Sequence, residues 1–189
     1  RTSTHAFAYS RNKQSPYAKF DWQNKEWPGG FGQQVLGDTW VNHHGDHGKQ
    51  STRGIINEEF KSHPILRGVK DVWVQAGGYV GKPTSGEILT MAQPLNGMTP
   101  DSPADTTKPP MPSEWTRSYK GTNGKEGRVF TSLYGTSEDI TNEGYRRLLV
   151  NGRDVAFARE KNPYRTGGAR LPLEAFLQHL GAGGTVDVH

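Results

Sequence analysis

Three histidines and an aspartate fall within five positions of this chain: His43, His44, Asp46 and His47, in a segment that runs from Asp38 to Lys49. The whole protein has seven histidines, so this loop concentrates the side chain that titrates near neutral pH and also ligates metals. If the chain turns at Gly45, then His43, Asp46 and His47 point inward together and suit a divalent ion such as zinc. Adjacent His43 and His44 cannot both do so from an extended strand, whose successive side chains face opposite ways. The same groups suit acid/base chemistry or contact with sugar hydroxyls. A third reading is a polar loop whose histidines bond to backbone carbonyls.

Tyr79 follows Gly77-Gly78, where missing side chains permit close approach. A tyrosine ring can stack on a sugar face and offer its hydroxyl as a polar handle, or it can fill a core. Trp40 reads as core, and Trp22 and Trp27 as exposed loop. The chain has no cysteine, which excludes a disulfide framework, a thiol nucleophile and a thiolate metal site. A Gly-x-Ser-x-Gly nucleophile motif is absent. The Gly29-Gly30 and Gly77-Gly78 pairs lack the spacing of a phosphate-cradling loop.

These side chains need a frame. At 189 residues, the chain suits one domain with a tail. Mean hydropathy is −0.80, and 24 Gly with 12 Pro demand many loops. Yet 5 Trp, 7 Tyr and 7 Phe are more aromatics than a disordered chain would carry. The net charge of +4 comes from Lys and Arg spread along the chain, so a solvated surface is expected and no nucleic acid partner. No apolar run approaches the roughly 20 residues of a membrane span, and no signal-peptide pattern is present.

Residues 29–37 read as a short helix closed by Gly37. Strand-like runs are Thr39–Asn42, Ser51–Ile56, Asp71–Gln75, Glu87–Ala92, Glu114–Tyr119 and Gly127–Tyr134. His63-Pro64 opens a turn. Residues 94–113 hold half the prolines and read as a surface loop. Turn residues at 120–125 make a hairpin of the last two strands. The clearest helix spans 142–159, capped by Asn142, with Tyr145, Leu148, Leu149, Val155 and Ala156 near the 3.6-residue period. A short helix at 172–180 lies in a tail. Strands feeding a long amphipathic helix predict an α/β layered domain.

Several segments together resemble the ThuA-like (trehalose utilisation) family. They are Gly29-Gly30-Phe-Gly32, His63-Pro64-Ile65-Leu66-Arg67-Gly68, Trp115-Thr116-Arg117, Gly127-Arg128-Val129-Phe130-Thr131-Ser132-Leu133 and Tyr145-Arg146-Arg147-Leu148-Leu149-Val150-Asn151. The resemblance covers roughly residues 1–160, and 161–189 are the tail. It implies a flavodoxin-like three-layer α/β sandwich, related to class I glutamine amidotransferases, and a link to sugar metabolism through keto-sugars. It places Arg1 to Phe7 at the bend after a central strand, so the domain is expected to be incomplete at its N-terminus. His5 would then stand at the carboxyl edge of the sheet, as base or sugar-hydroxyl ligand, with Thr4 beside it. Two departures matter. No cysteine stands at the bend, so glutamine hydrolysis by a thiolate is excluded. Where many relatives have Leu-Gly-His, this chain has Tyr134-Gly135-Thr136, with Asp139 three positions on.

The expectation is a carbohydrate domain that hydrolyses or isomerises a sugar or keto-sugar. His5, His43 and His47 would be its catalytic groups, and Thr4, Tyr79, Thr136 and Asp139 would contact substrate. His43, Asp46 and His47 are the candidate set for a divalent metal. The alternative is a non-catalytic carbohydrate-binding or scaffolding module of a larger envelope-associated protein, with further domains. Such a setting favours a periplasmic or secreted protein. A chain that opens on Arg1 suggests processing or truncation.

Overall fold

The computed structural model describes residues 13–39 and 41–157. Runs rich in β-branched and aromatic residues fit a pleated, half-buried surface, and five of them become strands: β1 (Thr52–Ile56), β2 (Val72–Val74), β3 (Glu87–Pro94), β4 (Met111–Lys120) and β5 (Glu126–Ser132). They form one sheet in the order β2-β1-β3-β4-β5. Every neighbouring pair is antiparallel, and the sheet curls into a half-barrel. The expected hairpin joins β4 to β5. Its turn is tied by Gly124 N–H donating to Gly121 O at 2.9 Å, and Gly124 takes the positive φ of 76° that its missing side chain allows.

This architecture corrects the expected flavodoxin-like three-layer sandwich. That fold needs parallel strands joined by helical crossovers that cover both faces. Here β3, β4 and β5 follow one another with no helix between them, and the short turn from β4 to β5 can only return the chain antiparallel. The described residues contain a single α-helix, α1 (Glu143–Phe157), and none of their helices is long and apolar enough to cross a membrane.

The helix starts where its cap predicts. Asn142 Oδ1 accepts from Tyr145 N–H at 2.8 Å, satisfying one of the donors that a helix start leaves unpaired. Its apolar stripe, led by Tyr145 and Leu148, packs on Ile65, Leu66, Val72, Val74 and Tyr134. Close docking depends on Gly144, because a Cβ there would stand 1.6 Å from Asp71 O. Asn151 Nδ2 donates to Ile65 O at 2.8 Å and to Arg67 O at 2.9 Å, locking the helix to the His63-Pro64 turn. In that turn His63 Nδ1 accepts from Ile65 N–H at 3.2 Å.

On β4, Trp115 is wholly buried, and its indole N–H donates to Leu36 O at 2.8 Å. Leu36 ends a single π-helical turn, Gly32–Leu36, which Gly37 closes at φ 95°. The expected helix at 29–37 is thus shorter than its sequence pattern. Residues 41 and 42 join no ladder of the main sheet, and Trp40 lies outside the described residues. The proline-rich stretch also yields part of itself to β4, with Pro112 opposite Met91 beside a shift of register. A bulge is where a strand tolerates a residue with no N–H to donate. These elements all belong to the unit Arg1–Phe157, and the expected helix at 172–180 lies outside the described residues.

Candidate functional site

The histidine loop and the Gly77-Gly78-Tyr79 segment meet as a short two-stranded clasp that neither segment announces alone. Residues 42–45 run antiparallel to 77–80. Val80 N–H donates to Asn42 O at 3.0 Å, His44 N–H to Gly78 O at 3.1 Å and Gly45 N–H to Gly77 O at 2.6 Å. His43 and Tyr79 are bridge partners. The approach is so close that only glycine fits: a Cβ on Gly45 would lie 2.2 Å from Gly77 O, and one on Gly77 would lie 2.8 Å from Gly45 O.

Directly opposed side chains in such a pair lie on one side and touch. The His43 and Tyr79 rings accordingly sit 5.2 Å apart between centroids, tilted by 34°. Beside them opens a cleft of about 230 Å³, which His47, Ala76, Gly77, Gly78 and Thr136 also line. Four residues expected to carry chemistry or contact substrate, His43, His47, Tyr79 and Thr136, therefore share one cleft.

The other expected residues go elsewhere. His44 faces away, as the alternation requires, with Nε2 at 2.7 Å from Pro109 O. Asp46 Oδ1 accepts from Lys108 Nζ at 3.2 Å. Among the described residues no three His, Asp or Glu side chains converge closely enough to hold a metal ion, so of the expected metal set only His43 and His47 share the cleft. Asp139 is 1% exposed and lies behind the wall. Its Oδ1 accepts from Gln75 N–H at 3.0 Å and Ala76 N–H at 3.2 Å. Its Oδ2 accepts from Gly135 N–H and Thr136 N–H, each at 3.0 Å. Thr4 and His5 lie outside the described residues. The parallel sheet edge that would carry His5 is not present among the described strands. Trp22 is exposed, and Trp27 is half-buried with its ring edge on Phe20.

The groups that sequence reasoning missed are buried acids. Glu114 has no exposed surface. Its Oε2 accepts from Ser113 Oγ at 2.9 Å and its Oε1 from Ser132 Oγ at 3.0 Å. Thr90 Oγ1 adds a hydroxyl 2.9 Å from Ser113 Oγ. Burial pushes the Glu114 carboxyl up to about 8, against the two serine hydrogen bonds, and the nearby Asp139 charge adds to the rise. The Tyr134 and Tyr145 rings meet edge to face at 5.8 Å. Burial raises both phenols, Tyr134 against the influence of the Ser113 hydroxyl and Tyr145 against that of Ser132. Asp38 is similarly pushed up by burial, although Lys82 N–H and Thr39 N–H donate to it. The only sequence signal for the Glu114 cluster was the set of hydroxyl residues Thr90, Ser113 and Ser132 in facing strands. Comparison with known proteins finds no matching family model, no curated relative and no solved structure.

Proposed function

We propose that the cleft beside the His43–Tyr79 pair binds a sugar or keto-sugar, and that His43 and His47 move protons on it. The observation that supports this reading is the shared cleft itself: two imidazoles and an aromatic ring open onto one volume of about 230 Å³. That is below the roughly 300–1,000 Å³ of pockets for drug-sized ligands, and suits a single sugar ring. Tyr79 offers an apolar ring face with a polar end. Imidazoles donate or accept according to tautomer, which matches sugar hydroxyls, and they exchange protons near neutral pH. Hydrolysis or isomerisation of a keto-glycoside needs proton transfer beside a carbonyl. The resemblance to ThuA-like proteins supplies the same substrate class.

One observation favours a second reading, a carbohydrate-binding module without turnover. Two carboxylates of the expected set are committed elsewhere, Asp46 to Lys108 and Asp139 to four backbone amides, and neither lines the cleft. Incubation with a keto-disaccharide, with products followed by chromatography and binding by calorimetry, decides between them. Under the first reading His47→Ala lowers turnover by about 10²–10⁴, and Tyr79→Ala weakens binding. Binding without turnover selects the module. No binding of mono- or keto-disaccharide at millimolar concentration refutes both.

A further inference from the structure

We infer that Gln50 is the positioning residue for His47, and that it sets this imidazole in the cleft from a polar arm formed by residues 96–109. The inference rests on the cleft being a binding site, and it concerns what fixes one of its two imidazoles. The backbone clasp holds residues 42–45. His47 stands beyond it, on a turn that joins no ladder of the main sheet. Gln50 closes that turn twice. Its backbone N–H donates to Asp46 O at 2.9 Å, and its Oε1 accepts from Asp46 N–H at 3.0 Å. The next residue is already tied to the arm, with Ser51 N–H donating to Gly97 O at 2.9 Å.

Gln50 is buried, and its side chain is fully used. A carboxamide has two acceptor sites and two donors. Beside the Asp46 amide, Oε1 accepts from Lys108 Nζ at 2.6 Å. Nε2 donates to Asp105 Oδ2 at 2.8 Å and to Asn96 Oδ1 at 3.1 Å. The partners decide which end is which, because an ammonium only donates and a carboxylate only accepts. A reversed amide would set N–H against Lys108 and oxygen against Asp105. The arm in turn is set by the sheet: Gln93 Nε2 of β3 donates to Asp105 O at 3.0 Å and to Lys108 O at 3.1 Å. His44 and Asp46 do not line the cleft, and both take partners from this arm, Pro109 O at 2.7 Å and Lys108 Nζ at 3.2 Å. Position therefore passes from β3 through the arm to Gln50, and from Gln50 to the turn that carries His47.

The test is Gln50→Glu, which is nearly isosteric. It keeps an acceptor for Lys108 and the Asp46 amide but sets a second acceptor against Asp105. In NMR of the full chain without ligand, contacts of the His47 ring with cleft residues 76–79 are expected in the wild type and lost in Gln50→Glu, while the contact between the His43 and Tyr79 rings remains. Adding Asp105→Asn puts a donor opposite the new acid and is expected to bring the His47 contacts back. With a keto-disaccharide, kcat of Gln50→Glu is expected to fall about tenfold or more, since a misplacement of about 1 Å can cost about 10²-fold. KM is expected to change less than about threefold, because the His43–Tyr79 pair stays in place. His47 contacts that are absent in the wild type, unchanged in Gln50→Glu or not restored by the second substitution overturn the inference. So does an unchanged kcat in Gln50→Glu, or a loss of the His43–Tyr79 contact along with those of His47, which would mark a general loosening. If Gln50→Glu does not fold, Lys108→Met decides: it removes one donor to Oε1 and is expected to weaken the same His47 contacts, and contacts left unchanged overturn the inference. A wild type without turnover, or without sugar binding, removes the proposed catalysis or the proposed site, and the His47 contacts still decide the inference.

Discussion

Gly45→Ala tests whether the backbone clasp builds the cleft. The new Cβ would stand 2.2 Å from Gly77 O, 2.9 Å from its carbonyl carbon and 3.0 Å from its Cα. Carbon and oxygen atoms in ordinary contact are separated by well over 3 Å, and the obstacle is backbone on a paired segment, so the two chains must part by about an ångström. Parting breaks the Gly45–Gly77 hydrogen bond of 2.6 Å and its neighbour from His44 to Gly78 at 3.1 Å. At about 0.5–1.5 kcal/mol net each, the loss is about 1–3 kcal/mol. For a chain of this size, it corresponds to a fall in Tm of roughly 2–12 °C. Gly48→Ala is the control: Gly48 has a φ of 71° and its Cβ would meet nothing within 4 Å, so it carries the left-handed backbone cost of about 1–2 kcal/mol without the clash. Urea unfolding measures both stabilities, and contacts between the His43 and Tyr79 rings in NMR report the cleft. Gly45→Ala is expected to lose the ring contact and Gly48→Ala to keep it. A Gly45→Ala protein of unchanged stability with the ring contact intact would refute the claim that close approach at Gly45 holds the cleft together.

Two further predictions concern the interior. The folded carboxyl of Glu114 lies at about 8, above its ordinary 4.5, so between those values the native state holds a proton that the unfolded chain has released. The contribution of Glu114 to stability is therefore full below about pH 4.5, falls by about 1.4 kcal/mol per pH unit as pH rises, and stops falling above about 8, an upper bound of roughly 5 kcal/mol. Urea unfolding at several pH values is expected to show that slope in the wild type and a flatter one in Glu114→Gln; the same slope in both would remove Glu114 as its source. Leu148→Ala deletes a wholly buried side chain from the α1 stripe and is expected to cost about 2–5 kcal/mol, so a loss under about 1 kcal/mol would show that α1 does not close this core.

What could be read in the sequence was local. Each of the five ladder strands lies within or overlaps a run of strand formers, Asn142 marked the start of α1, and Gly37 marked the end of a turn. Topology was misjudged for an identifiable reason. Strands feeding a long amphipathic helix suggest α/β layers, and the ThuA-like resemblance makes of them a flavodoxin-like sandwich, but the hairpin chemistry at 120–125 already requires the last two strands to be antiparallel. Pro112 hid the start of β4, since a proline argues against a central strand unless a bulge receives it. In the site, Gly77-Gly78 carried a legible signal of close approach and Gly45 one of a turn, but that Gly45 and Gly77 meet each other is a tertiary fact. For Glu114 the hydroxyl residues in the facing strands were the one signal, and they do not show burial. An acid between Ser113 and Trp115 reads as a solvent-facing strand position, and its burial is a tertiary fact.

The cleft stands where the ladder stops. Its walls come from the residues just after β2 and just after β5, and the histidine loop closes over them; none of its side chains belongs to a sheet strand. Side chains on loops are free to take the positions a ligand demands, provided the scaffold fixes where the loops begin. Here the fixing is polar. Thr52 Oγ1 of β1 donates to Ala76 O at 2.6 Å, and Asp139 takes the amides on both sides. Two of the buried polar side chains, Thr52 and Asp139, thus stand directly behind the cleft walls. A core that only needed to be stable would fill those positions with apolar side chains at similar or lower cost. That they are polar, and tied to the two walls, is a physical reason to treat this cleft, ahead of the sheet faces, as the part of the molecule whose geometry is under control.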